Sequence, residues 1–173
     1  MEPTWQSDCG RVRLFLGDCM DVLPTLSSVD AIVTSPPYAE QRKDQYGGIP
    51  ENRYPLWTAN WMIAVEGGLS EKSSVLVNIR EHVSGGHVSS YVHRTRMLLR
   101  DVGFVECDEI IWVKPDAPPV GDPKRPRRSW ERVLWYGKTN SPFCDAKANG
   151  FVSDRIGLDQ AGRSSTWVHG ESE

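Results

Sequence analysis

The sequence has no apolar run approaching the roughly 18 residues that a membrane-spanning helix needs. Its opening, MEPTWQSDCGR, has none of the basic-then-apolar layout of a secretory leader. Both absences predict a soluble, cytoplasmic protein. Cysteine is sparse: Cys9, Cys19, Cys107 and Cys144 stand at wide, unpatterned intervals, which excludes a zinc ribbon or a small disulfide scaffold and leaves free, mostly structural thiols. Positive charge is not in excess, since the formal net charge is −3, so a nucleic-acid partner has to be met by a local basic patch. There is no internal repeat and no low-complexity tract. What is present is 173 residues, 39% of them hydrophobic, enough for one domain with a real core and too few for two comfortable ones.

Along the chain, RVRLFLGD (Arg11 to Asp18) and VDAIVTS (Val29 to Ser35) read as strands, the second rich in β-branched residues. Between them Met20, Val22, Leu23 and Leu26 suit a short helix ended near Pro24, giving a β-α-β start. Trp57, Trp61, Val65 and Leu69 fall at helical spacing, with Pro55 fit for a first turn and Gly67-Gly68 for the exit. SSVLVNI (Ser73 to Ile79) is a further buried strand. Tyr91, Thr95, Leu98, Leu99 and Val102 then share one helical face that stops at Gly103. DEIIWVKP (Asp108 to Pro115) and ERVLWYGK (Glu131 to Lys138) are the last strands, and with no helix between them they pair most simply as an antiparallel hairpin with a long tip. Alternating strands and helices predict an α/β fold of three layers, a mostly parallel sheet with helices on both faces, closed by that antiparallel hairpin. Residues 139–173 show turn residues and isolated aromatics without a period and read as irregular.

The strand Val29 to Ser35 runs straight into Ser35-Pro36-Pro37-Tyr38. In α/β sheets the ligand crevice lies outside the carboxyl ends of the strands, which is where this tetrapeptide falls. The prolines lock φ and remove backbone donors, leaving a stiff loop whose carbonyls only accept. Ser35 adds a hydroxyl acceptor, and Tyr38 adds a ring on which a base can stack. Such a loop suits an exocyclic amine. The amine of cytosine or adenine is a poor nucleophile because its lone pair is delocalised. Two acceptors on its hydrogens, Ser35 and the Pro36 carbonyl, favour the pyramidal form and localise that pair towards an electrophile. A paired base must first be flipped out, at a cost of a few kcal/mol that stacking partly offsets.

With GDCMDVLPTL before the strand and WVKP followed by RPRRSWERVLWYGK after it, the chain resembles the amino-methyltransferases of DNA over about Arg11 to Lys138, in the group whose catalytic half precedes the cofactor half. The resemblance implies a Rossmann-like methyltransferase fold and S-adenosyl-L-methionine as cofactor. It also implies double-stranded DNA as partner and Ser35, Pro36, Pro37 and Tyr38 as the catalytic loop. The serine version of the tetrapeptide implies methylation of cytosine at N4, with adenine N6 as the alternative. It further implies that Asp18 and Ser35 border the cofactor. In the family a Phe-x-Gly-x-Gly loop follows a strand and binds the cofactor; this sequence has none, and GRSSTWVHGESE resembles the segment just before it. The reading is therefore a catalytic region over 1–138 and an irregular segment over 139–173 that leads towards a missing cofactor-binding half. The alternatives are a second polypeptide bearing that half, a catalytically silent DNA-binding or regulatory copy, and an enzyme with an unusual donor site.

The loop DPKRPRRSWER (Asp122 to Arg132) gathers Lys124, Arg125, Arg127, Arg128 and Arg132 against Asp122 and Glu131. It overhangs the same strand ends, so Lys124, Arg125, Arg127 and Arg128 are expected to contact DNA. His82, His87 and His93 match no zinc spacing, and no metal is expected.

Overall fold

The computed structural model describes residues 1–41, 44, 48–115, 128–145, 148, 151–152 and 167–168. It forms two units, Met1–Pro142 and Phe143–Glu173.

In the first unit, β1 (Trp5–Gln6) pairs antiparallel with β2 (Arg13–Leu14), Trp5 opposite Leu14. The strand expected over Arg11 to Asp18 therefore does not open a β-α-β unit in the main sheet. Gly10 at φ 69° turns the chain back on itself, and the Leu16 N–H donates to Thr4 Oγ1 at 2.9 Å, so the polar groups of this stretch are satisfied within a ribbon. Next comes α1 (Cys19–Val22), whose first turn is capped by Asp18: its carboxylate accepts the Met20 N–H at 2.8 Å. Pro24 sits in the 3-10 turn Leu23–Thr25 that ends this segment.

The elements that follow are β3 (Val29–Thr34), α2 (Tyr54–Glu66), β4 (Leu69–Ile79), the small ribbon of β5 (Val83–Ser84) and β6 (His87–Val88), α3 (Tyr91–Asp101), β7 (Val105–Val113) and β8 (Trp130–Gly137). The main sheet has the order β3-β4-β8-β7. β3 and β4 are parallel, whereas β8 is antiparallel to both of its neighbours. The sheet is thus mixed and not mostly parallel. The cause is the position of one strand: β7 runs in the direction of β3 and β4, but its hairpin partner β8 inserts between β4 and β7, so two of the three pairings are antiparallel.

Alternation along β4 sends Val75, Val77 and Ile79 into the core, with Leu134 and Tyr136 of β8 beside them. The same core holds Tyr54, Trp61, Met62 and Val65 of α2 and Tyr91, Val92 and Leu99 of α3. Both helices thus cover one face. The expectation of helices on both faces is not met among the described residues: the other face carries the cross-strand row Val33, Leu76, Trp135, and Val33 is 77% exposed. The helix α2 buries Trp61 and Val65 of the expected face, with Trp57 packed against the core, and adds Tyr54, Thr58 and Met62 beside them while leaving Leu56 and Ile63 outward; Leu69 belongs instead to β4. After α3, Gly103 adopts φ 105°, a conformation that favours glycine, and turns the chain into β7.

In the second unit β9 (Phe151–Val152) pairs antiparallel with β10 (Trp167–Val168).

Candidate active site

Thr34 stands opposite Val77 in the parallel pair, so Ser35, just past the end of β3, comes out beside Asn78 near the end of β4. There a cavity of about 650 Å³ opens, lined by Ser35, Pro36, Pro37, Tyr38, Gln41, Asn78, Arg80, Trp112, Lys114 and Glu131. All four members of the tetrapeptide contribute. Pro36 is buried, Ser35 is exposed, and Pro37 and Tyr38 are half-buried, which leaves a hydroxyl and a ring presented from a fixed loop.

The loop is held by a carboxylate. Glu131, only 7% exposed, accepts the Tyr38 hydroxyl at 3.0 Å and Asn78 Nδ2 at 2.9 Å on Oε2, while Lys114 Nζ lies 2.7 Å from Oε1. Burial by itself raises the carboxyl's pKa, but the hydrogen bonds from Lys114, Asn78 and Tyr38 outweigh it and hold the group below its ordinary value. Tyr38 moves the other way. Burial first, then its hydrogen bond to Glu131 and the charge of that carboxylate, push the phenol up to about 12, so it stays a neutral donor. Asn78 Nδ2 also lies 3.3 Å from the Tyr38 hydroxyl and 3.5 Å from Ser35 Oγ. An amide nitrogen has two hydrogens for these three acceptors, and the longest of the three bonds is the weakest. Ser35 Oγ therefore keeps lone-pair capacity for a ligand amine.

Across the sheet, Trp112 of β7 lies opposite Glu131 and is 51% exposed, with Lys114 Nζ 4.3 Å from its ring centroid. Arg80 enters from the end of β4, and its backbone carbonyl accepts the Tyr91 hydroxyl at 2.5 Å.

The structure thus brings Ser35, Pro36, Pro37 and Tyr38 together as read from the sequence. Asp18 is not among the cavity's lining residues, and its carboxylate serves as the cap of α1. Lys124, Arg125 and Arg127 lie outside the described residues. Arg128 is described and is engaged: its Nη1 lies 3.4 Å from the Glu81 carbonyl and 3.9 Å from the Glu81 carboxylate. His82 Nε2 stands 3.8 Å from Glu51, and His87 and His93 are exposed. Among the described residues no three His, Cys, Asp or Glu side chains gather as a metal site, and no helix is long and apolar enough to cross a membrane. Sequence reasoning missed Asn78, Arg80, Trp112, Lys114 and Glu131. The available signal was positional for four of them, since Asn78, Arg80, Lys114 and Glu131 stand at or next to the ends of predicted strands.

The profile of a family described as DNA methylase matches residues 29–169. The Type II methyltransferase M.PvuII of Proteus hauseri is 28% identical over 155 residues, 83% of this chain and 46% of its own length. The Type II methyltransferase M.BglII of Bacillus subtilis is 27% identical over 131 residues, 73% of this chain and 35% of its own length. A solved PvuII DNA methyltransferase, described as cytosine-N4-specific, superposes with a TM-score of 0.70 at 25% identity, covering 83% of this chain and 54% of that one. The chain spans less than half the length of the two curated relatives.

Proposed function

Because the chain belongs to the DNA methylase family, with its Rossmann-like α/β fold, we propose that it serves in transfer of a methyl group from S-adenosyl-L-methionine to the N4 amine of cytosine in double-stranded DNA. The observation that carries this reading is the acceptor end of the cavity, where Ser35 Oγ and the Pro36 carbonyl stand on a loop fixed through Tyr38 to Glu131. The flipped base stacks on Tyr38, an interaction worth roughly 1–3 kcal/mol, and its amine hydrogens go to the two acceptors. That grip favours the pyramidal nitrogen, whose lone pair is then localised out of the plane of the base and free for an electrophile. The bound donor supplies an electrophilic methyl group. The cytosine assignment also accords with the serine in the tetrapeptide and with the specificity described for the PvuII enzyme; the adenine N6 amine is the alternative acceptor.

The cavity's residues fit the base better than the donor. Glu131 is committed to Lys114, Asn78 and Tyr38, whereas Asp18 accepts the Met20 N–H at the cap of α1 through Oδ1, which leaves further lone pairs of its carboxylate for a donor's polar groups. We infer that Ser35 borders the donor's methyl end and that the donor's main cradle stands on a second polypeptide, docked on the face and edge of β3 that the described residues of the first unit leave open. The exposed Val33 supports this, as an apolar edge strand of this kind invites pairing. Lys124, Arg125, Arg127 and Arg128 are proposed as the DNA grip.

The test is direct. The protein is incubated with labelled S-adenosyl-L-methionine and unmethylated genomic DNA, and the digested nucleosides are separated. Label in N4-methylcytosine is the expected product; label in N6-methyladenine selects the alternative. If no label transfers and calorimetry shows no heat with the donor, with or without DNA, the chain alone is not the enzyme and the partner reading is the one to pursue.

A further inference from the structure

We propose that Arg80 is a specificity-determining residue of the base pocket, reading the N3 and O2 acceptors of cytosine while Ser35 and the Pro36 carbonyl hold its N4 amine. This rests on the base-pocket reading above. Near the cavity, Lys114 is paired with Glu131, and farther out Arg94, Arg96, Arg132 and Lys138 each face a carboxylate. Among the described residues the Arg80 guanidinium alone lines the cavity as a cation without a carboxylate partner. It is partly buried, and its main chain is clamped by Tyr91. An uncompensated, partly desolvated guanidinium is costly to keep unless a ligand supplies its acceptors.

The placement fits a pyrimidine. Ser35 and Asn78 follow paired positions on β3 and β4, and Arg80 comes two residues after Asn78. One strand spacing across and two residues along separate the Ser35 and Arg80 backbones by roughly 8 Å. Side chains converging from that distance leave room for one six-membered ring between an acceptor head and a donor head. Tyr38, whose hydroxyl feels the Arg80 charge, lies beside both. Cytosine presents a donor, an acceptor and a second acceptor along its N4, N3, O2 edge. The pocket's order of acceptors at Ser35 and Pro36 and a two-pronged donor at Arg80 is its complement. Adenine offers a donor and one acceptor, then a C–H where the second prong would go, so it leaves one guanidinium N–H unmet.

The test uses binding of the whole chain to single-stranded 12-mers, in which bases are already extrahelical and no recognition sequence is needed. Oligo(dC), oligo(dA) and an abasic oligomer are compared by fluorescence anisotropy across a salt series, for the wild type, Arg80→Met and Arg80→Lys, each checked for native circular dichroism. The wild type is expected to favour oligo(dC) over the abasic strand, and Arg80→Met to lose roughly 5- to 100-fold of that preference while abasic binding is unchanged. Arg80→Lys keeps the charge but loses the fork, so it should behave as Arg80→Met. If Arg80→Lys matches the wild type, or if Arg80→Met weakens all three strands equally and flattens the salt slope by about 0.7, the single-strand value for one neutralised phosphate, Arg80 is a phosphate ligand and the proposal is overturned. If the wild type itself binds oligo(dC) and the abasic strand alike, the base-pocket reading fails, a result distinct from failure of Arg80 alone.

Discussion

Replacing Glu131 by glutamine removes a charge and almost no volume, and the structure says how much that should matter. The carboxylate takes three hydrogen bonds, from Tyr38 at 3.0 Å, Asn78 at 2.9 Å and Lys114 at 2.7 Å, in a site that is 7% exposed. A bond to a charged acceptor contributes about 1 kcal/mol more than a neutral one, so losing the charge on three of them costs about 3 kcal/mol. Lys114 keeps a third of its side-chain surface in water and can turn outward when glutamine presents an N–H to it, which lowers the expected loss to about 2 kcal/mol. The pH dependence follows from the direction of the shift. The Glu131 carboxyl is held below its ordinary value, so its contribution is complete above about pH 5, beyond the unfolded carboxyl's pKa, and is lost as pH falls through the lower, folded value. Urea unfolding of wild type and Glu131→Gln at pH 7.5, 5.5 and 3.5 should show a gap of about 2 kcal/mol at the first two and a smaller one at the third. A gap under about 0.5 kcal/mol at pH 7.5, or one that does not shrink in acid, would refute the claim that this carboxylate holds the loop.

The grip on the amine is tested by Ser35→Ala, which should remove most methyl transfer while DNA affinity changes little; unchanged turnover would sink that role. Tyr38 has two jobs that two variants separate. Tyr38→Phe should keep base binding and cost about 1 kcal/mol of stability by losing its bond to Glu131, whereas Tyr38→Ala should weaken a normal duplex more than one mismatched at the target. Equal losses on both duplexes would make the ring mere packing. For the basic loop, alanine at Lys124, Arg125 or Arg127 should flatten log affinity for duplex DNA against log salt by about 0.9 for each phosphate no longer neutralised. Arg128→Ala, since Arg128 is tied to Glu81, should flatten it less; a slope change equal to the others would show that the Glu81 pairing gives way to DNA.

How much of this was legible in the sequence depends on the range of the interactions involved. The strand Val29 to Thr34, the helix ending at Gly103 and the hairpin of β7 and β8 were readable because local pattern and turn chemistry decide them. The β4–β8 pairing and its antiparallel direction were not, because they depend on which strand β8 chooses as its second neighbour, and no local signal encodes that β4 is chosen. Arg11 to Asp18 has the composition of a strand and a real pairing, but with Trp5–Gln6, a choice made by the Gly10 turn. At the site, Ser35 to Tyr38 announces itself because two prolines after a strand are rare and chemically specific. Glu131 does not: it reads as one charge offsetting an arginine-rich loop, and only the register that puts β8 beside β4 brings it to Asn78 and Tyr38.

The same register explains how a chain of net charge −3 can offer an anionic polymer a receptive rim. Glu131 is neutralised by Lys114 inside the cavity. Just outside it, Glu81 stands 3.9 Å from Arg128 and 3.5 Å from Arg132, and Arg132 reaches on to Glu109, which also holds Arg96. Glu131, Glu81 and Glu109 are thus each matched within a few ångströms, and the Arg80 charge stands over at the centre. A phosphate approaching to within a Debye length of about 8 Å meets the local balance and not the molecular total. The carboxylates therefore do two things at once: they fix the strand ends that shape the cavity, and by pairing with cations they stop opposing the polyanion proposed as its partner.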